Sequence, residues 1–404
     1  MNFDFNAELH ARPSIYFSGP AFIDHIALIP QQFAGLRRTD PVVVTEGNEK
    51  VRSQLEYHTE FITLTVVREL DKDATEWPNS ELSLDDIHLL ADAPDAEIVC
   101  RTSILISSAM PPSLGEALER LNFGDTAVSQ VGGGDATICS DFRVRDDRAS
   151  RIVLFNRGLN AYRLGRMVRR VCEIETYRSM ALRGLPEARR LAPHLDAFDG
   201  TLVKLTKQNL ATSPSEHKSL LDEITSLSSE IISAAAATRN RFGATAAYAQ
   251  IVEERITELR ETHVEGFQRF GVFVARRFKP AIRSCAATAL RLDRLSMAAT
   301  HLIDLLQTRI QVEIEYQNSL QIQAMADRAA VQVKIQRAVE GFSIIAISYY
   351  LLSLVKTGIE ALEHAGIHVD PLVMLLCIPI TIFAVFLTVI RVKHALKSDT
   401  RAFG

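Results

Sequence analysis

The sequence predicts an α+β protein in three parts. These are an N-terminal cytoplasmic α/β domain at residues 1–156, a coiled-coil-like helical stalk at 157–340 and a transmembrane hairpin at 341–391, followed by a basic tail at 392–404. Three observations carry this reading. Short alternating or β-branched runs recur through the first 155 residues, and a nearly unbroken helical pattern follows them. Two apolar runs without a charge, residues 342–355 (FSIIAISYYLLSLV) and 371–390 (PLVMLLCIPITIFAVFLTVI), then close the chain.

The strand-like runs fall at 22–29, 42–45, 61–67, 97–107, 136–144 and 152–155. Helix-like pieces separate them at 48–55, at 83–91 with Ser83 as N-cap, and at 113–121 after the Pro111-Pro112 stop. Gly132, Gly133 and Gly134 make a turn between strands. No glycine-rich loop joins a strand to a helix, so the pattern offers nothing that cradles a nucleotide phosphate.

From residue 160 to 183, Leu164, Val168, Val171, Ile174 and Tyr177 share a helix face, and Gly184 and Pro186 end the helix. A second helix spans 187–211, with Pro193 as a kink or late start. A third, 215–262, steps by four and three through Leu220, Ile224, Leu227 and Ile231 and resumes at Tyr248, Val252, Ile256 and Leu259. That seam is covered either by antiparallel packing within one subunit or by pairing between subunits. Pro280 opens the last soluble helix at its first position, and no further proline occurs before residue 355. About 75 residues at roughly 1.5 Å each make a rod of about 110 Å running into the membrane.

The membrane helices are expected at about 341–359 and 371–391. Arg391, Lys393, His394, Lys397 and Arg401 follow the second run, while the intervening loop is acidic on balance. Basic flanks stay on the cytoplasmic side, so both termini are expected there, in a multi-pass protein of the inner membrane. The N-terminal MNFDFNAELHARP lacks a basic stretch before an apolar one, so no signal peptide is expected. Five scattered cysteines without a CxxC pair point to a reducing compartment rather than a zinc site or disulfide framework. With 45 Lys and Arg against 49 Asp and Glu the net charge is -4, so no nucleic-acid partner is expected.

His10-Ala11-Arg12-Pro13 and His58-Thr59-Glu60-Phe61 stand out as candidate chemistry. A converging His/Glu pair serves acid–base work or a metal; on a strand, His58 and Glu60 share one face and serve contact alone. In the outer loop, helical spacing puts Glu360, His364 and His368 on one face beside Glu363, an arrangement suited to a divalent cation. Ser348, Tyr349 and Tyr350 lie deep in the first membrane run, where their hydroxyls call for partners in helix contacts. Arg163, Arg166, Arg169 and Arg170 form a basic face that suits phosphates, lipid heads or solvent.

Residues 10–13 (HARP), 58–61 (HTEF), 173–189 (EIETYRSMALRGLPEAR, with Glu173, Glu175 and Tyr177) and 339–355 (VEGFSIIAISYYLLSLV) resemble a bacterial family of membrane-anchored proteins of unknown function. The resemblance spans nearly the whole chain and implies anchoring and bacterial origin, without an activity or catalytic residues. The order of parts is also similar to the CorA metal-ion transporters, but Lys356-Thr357-Gly358 stands where they carry Gly-Met-Asn. The expectation is a non-enzymatic, membrane-anchored scaffold or sensor without a cofactor. It forms a homo-oligomer and binds a cytoplasmic partner or ligand through the α/β domain. The alternative is a CorA-like divalent cation channel, a pentamer; an enzyme of unrecognised type comes third.

Overall fold

Strand β1 (Ala21–Ile29) is buried on both faces and therefore lies inside a sheet. It pairs antiparallel with β4 (Ile62–Glu69) on one side and β5 (Glu97–Ser107) on the other. The computed structural model describes residues 13–31, 43–47, 50–80, 82–91, 93–364, 366 and 370–399. These divide into two compact units, Met1–Leu306 and Gln307–Gly404.

The first unit holds a nine-stranded sheet of order β2-β3-β4-β1-β5-β8-β7-β6-β9. The remaining strands are β2 (Val43–Gly47), β3 (Val51–Tyr57), β6 (Ala127–Val131), β7 (Ala136–Val144), β8 (Ala149–Asn156) and the two-residue β9 (Thr262–His263). Two antiparallel halves meet at one parallel pair, β5 with β8, in register from Arg101 opposite Ala149 to Ser107 opposite Phe155. Gly132, Gly133 and Gly134 turn β6 into β7 at φ 66°, 83° and 95°, which side-chain-bearing residues rarely adopt.

Two layers cover the sheet. On one face, helices α1 (Leu84–Leu90) and α2 (Leu114–Arg120) pack over β1, β4 and β5 and over β6–β8. Ser83 caps α1 as expected, in a reciprocal capping box with Asp86, and Ser113 caps α2. On the other face lie α3 (Ala161–Leu182), α5 (His217–Glu258) and the start of α6 (Phe270–His364), with α4 (Gly184–Ala211) beside α5. Asn160 caps α3, and Leu164, Val168, Val171 and Ile174 are buried against the sheet. The α5 seam is covered within the chain, because Leu220, Ile224, Leu227, Ile231 and Val252 are buried and α5 packs on α3 and α4. The change at residue 156 marks the passage from strands to helices within one core, while the compact division falls after Leu306.

Several local expectations are corrected. The helix expected at 48–55 is replaced by strand β3 (Val51–Tyr57) between β2 and β4, residues 48 and 49 lying outside the described residues. The face of β3 toward α3 carries the buried polar residues Gln54 and Glu56, while Leu55 and Tyr57 pack on the opposite face with Ile87 of α1. His58 to Phe61 is the turn between β3 and β4, closed by the His58 N–H donating to the Phe61 carbonyl at 2.9 Å, rather than a strand start. Pro280 sits inside α6 rather than at its first position. Burial of Phe270, Val274 and Phe278 holds the turns before it, which outweighs the backbone bond that proline removes.

In the second unit, α6 continues as helix through the expected outer loop to His364, and α7 spans Pro371–Asp399. Among the described residues α6 is long and apolar enough to cross a membrane, by length and composition, and its most apolar window is 6 % buried. The second run contributes a shorter apolar helix, Leu375–Arg391. Tyr349 and Tyr350 are exposed with ring centroids 6.0 Å apart, and the buried Ser348 hydroxyl has no hydrogen-bond partner among the described residues.

Candidate functional site

Side chains alternate across β1, so Ala21, Ile23 and His25 point toward α3 while Phe22, Asp24 and Ile26 point away. Where β1, β3 and β4 face α3 they enclose a small cleft of about 50 Å³, bounded also by Ser14, Ile15 and Phe17. That volume suits a few water molecules or a small polar group.

His25 forms the back of the cleft. Its Nδ1 lies 2.8 Å from the Thr65 hydroxyl and its Nε2 2.7 Å from the Thr176 hydroxyl. A neutral imidazole satisfies both contacts, donating through one nitrogen and accepting through the other. Burial, and then the charge of Arg169, hold its pKa down to about 3.

Along one side runs a chain of charges that joins β3, α3 and α5. Glu56 accepts from Arg169 at 3.1 Å, and Arg169 Nε donates to Glu173 at 2.9 Å. Glu173 pairs with Arg255, which donates to Glu258 at 2.8 Å, and Glu258 accepts from Arg170 at 2.8 Å. Burial works against the Arg169 guanidinium, but Glu56 and Glu173 more than offset it and raise its pKa. Arg169 also donates to the Pro13 carbonyl at 3.0 Å, and Gln54 Nε2 donates to the same oxygen at 2.8 Å.

Aromatic rings stand beside the charge chain. His58 stacks on Phe61 at 4.2 Å and lies 3.9 Å from Glu56, and Tyr177 stacks on Tyr248 at 5.4 Å. The Tyr248 hydroxyl donates to Glu60 at 2.6 Å, and Arg241 pairs with the same carboxylate. Burial, then that bond to Glu60, push the Tyr248 phenol up. Cys172 lines the cleft, but burial raises its pKa, so it is a thiol rather than a nucleophilic thiolate.

The structure thus brings His58, Glu173 and Tyr177 together at one cleft, with the Pro13 carbonyl bonded to its lining residues Gln54 and Arg169, while Glu60 bonds Tyr248 and Arg241 beside it. Glu175 points elsewhere: it is buried, pairs with Arg178 at 2.6 Å and accepts from the Ser150 hydroxyl at 3.4 Å. His10 and Arg12 lie outside the described residues. In the second unit Glu360 and His364 are exposed, and His364 Nδ1 lies 2.9 Å from the Glu360 carbonyl oxygen. His368 and the Glu363 side chain lie outside the described residues. Among the described residues no group of three or more His, Cys, Asp or Glu is placed to hold a metal ion. The sequence reading missed His25, Glu56, Arg241 and Tyr248; the polar Asp24-His25 pair inside an apolar strand was the available signal for the first.

Gly165 carries the cleft's cover. A Cβ there would collide with the Ile15 carbonyl oxygen, so α3 accepts a residue that ordinarily weakens a helix. Gly165→Ala is expected to release residues 13–17 and open the cleft. Amide exchange reads this directly, as faster exchange at Ile15 to Phe17 with α3 unchanged; unchanged protection there would contradict it.

No curated protein and no solved structure matches the chain. A family model described as protein of unknown function (DUF3422) matches residues 3–396, and the chain belongs to that family.

Proposed function

We propose that the protein is a membrane-anchored, non-enzymatic scaffold or sensor of the bacterial inner membrane, whose sheet-bearing unit binds a small polar ligand or a partner at the cleft beneath residues 13–17. The observation that carries this reading is the convergence of His58, Glu173 and Tyr177 on that cleft beside His25, Glu56 and Arg169, with the Pro13 carbonyl tied to Arg169. The site offers charge, hydroxyls and aromatic faces, and its thiol is protonated by burial. Those groups suit recognition better than bond making.

The anchor reading is supported by exposed apolar side chains on both helices of the second unit, including Phe342, Ile345, Leu354, Leu375, Ile380 and Phe383. Water disfavours so much apolar surface, and lipid or further subunits would cover it. In this reading α6 and α7 form a hairpin with both termini cytoplasmic, and copies associate through it. A fusion of alkaline phosphatase after Gly366 is expected to be active, and a fluorescent protein fused after Gly404 is expected to fluoresce. An inactive phosphatase fusion, or recovery of the protein in the soluble fraction, overturns the anchor.

A divalent cation channel of CorA-like order is the second reading. It is favoured by α6 running as one helix from the core residue Phe270 through the apolar run to exposed Glu360 and His364. Single-particle imaging separates the two readings. A pentameric ring with a cation-occupied axis supports the channel; a monomer, a dimer or an axis closed by apolar side chains supports the scaffold or sensor.

A further inference from the structure

A second cavity, of about 260 Å³, opens where α3 meets the turn between α5 and β9. Its floor holds the buried side chains of Leu159 and Met167, and its walls carry four arginines and one carboxylate, Glu258. Arg163, Arg166 and Arg170 recur at three and four residues and so share one face of α3, while Arg260 approaches from the turn. Like charges at that spacing weaken a helix unless something neutralises them.

Two of the four are neutralised within the chain. Arg163 pairs with Asp135 at 2.6 Å and donates to the Gly132 carbonyl at 2.9 Å, and Arg170 pairs with Glu258 at 2.8 Å. Glu258 is shared with Arg255 as well. Arg166 and the Arg260 side chain have no hydrogen-bond or ion-pair partner among the described residues. Arg260 also holds φ 49°, the left-handed region where glycine is the usual residue at a helix end. A strained arginine at a helix end, aimed at a cavity that already holds unpaired positive charge, is the kind of outlier that marks a ligand site.

We infer that this cavity binds a phosphate-bearing anion through Arg166 and Arg260, with Arg163 and Arg170 held in place beside them by Asp135 and Glu258. Guanidinium groups match phosphate oxygens in pairs of hydrogen bonds, and the volume suits a small phosphorylated metabolite or one phosphate head group. This site is separate from the cleft under residues 13–17 and does not rest on the reading given to it.

The test uses the full-length protein in detergent and reads its thermal unfolding midpoint at constant ionic strength. One arm adds inorganic phosphate in place of chloride; the other adds phosphatidic acid to the micelles. A rise in the midpoint is expected in at least one arm. Arg166→Gln and Arg260→Gly are each expected to weaken binding by about tenfold or more. Arg260→Gly is the informative variant, because glycine suits the left-handed backbone and leaves the fold at least as stable. A rise with phosphate, lost in both variants, supports the site and assigns it to a free phosphate compound. A rise with phosphatidic acid alone, lost in both, supports it and assigns it to a lipid head group. No rise in either arm, or a rise that persists in the variants, overturns it.

Discussion

Acidification is expected to destabilise the sheet-bearing unit between about pH 6.5 and about pH 3, with His25 as a principal cause. In the unfolded chain this imidazole takes up a proton near its ordinary pKa of 6.5, whereas burial and Arg169 hold it neutral in the fold down to about 3. The unfolded state therefore binds more protons across that interval, so stability present above it is lost as the pH falls. The full effect of one such group is on the order of 4 kcal/mol, a large fraction of the stability of an ordinary domain. Trp77 is the only tryptophan and packs against Phe22 and Phe123, so its fluorescence follows unfolding of this unit. His25→Asn keeps a polar partner for the threonine hydroxyls but does not titrate. Its denaturation midpoint should vary less between about pH 7 and about pH 4 than that of the natural protein. Equal slopes in the two proteins would remove His25 from the account.

Arg169→Ala is expected to cost about 3 kcal/mol, because it leaves Glu56 and Glu173 without the cation between them. It also removes one of the two donors to the Pro13 carbonyl. Arg169→Lys should recover only part of the loss, since a single ammonium cannot reach two carboxylates and that carbonyl with the same geometry. The two predictions are coupled. With the guanidinium gone, the second cause of the low His25 pKa disappears, and the acid-sensitive interval should narrow from its lower end. Denaturant unfolding of Arg169→Ala within about 0.5 kcal/mol of the natural protein would show that the charge chain does not hold β3 to α3.

Gly165→Ala probes the same cleft from its cover rather than its charges. If Arg169→Ala and Gly165→Ala both expose Ile15 to Phe17, the N-terminal segment is held by the guanidinium and by close backbone packing together.

Much of this was legible in the residues. The limits of β5 and β7 follow from their β-branched runs, Ser83 marks the start of α1 by cap chemistry, and the Pro111-Pro112 stop and the apolar stripe place the starts of α2 and α3. The apolar stripe of α3 names the face that meets the sheet. These signals are local, arising from neighbours within a few residues along the chain, and so survive in a linear reading. The apolar run within α6 was legible for the same reason, since its composition alone suits a membrane span.

Tertiary structure decided what local pattern does not encode. Strand β3 reads as helix in the sequence although Leu55 and Tyr57 alternate, because its other face buries Gln54 and Glu56, which find their partners only in the fold, the Pro13 carbonyl and Arg169. The helix around Pro280 persists because burial of Phe270, Val274 and Phe278 before it outweighs a lost backbone bond. The cleft itself joins residues far apart in sequence, His25 to Thr176 and Glu56 to Arg169. Sequence determined most of the strands, helices and apolar runs, because those preferences are set by local sterics and solvation, but not β3 or β6. The meeting of particular charges and rings was decided only by the packing of α3 and α5 on the sheet, because such contacts depend on long-range register.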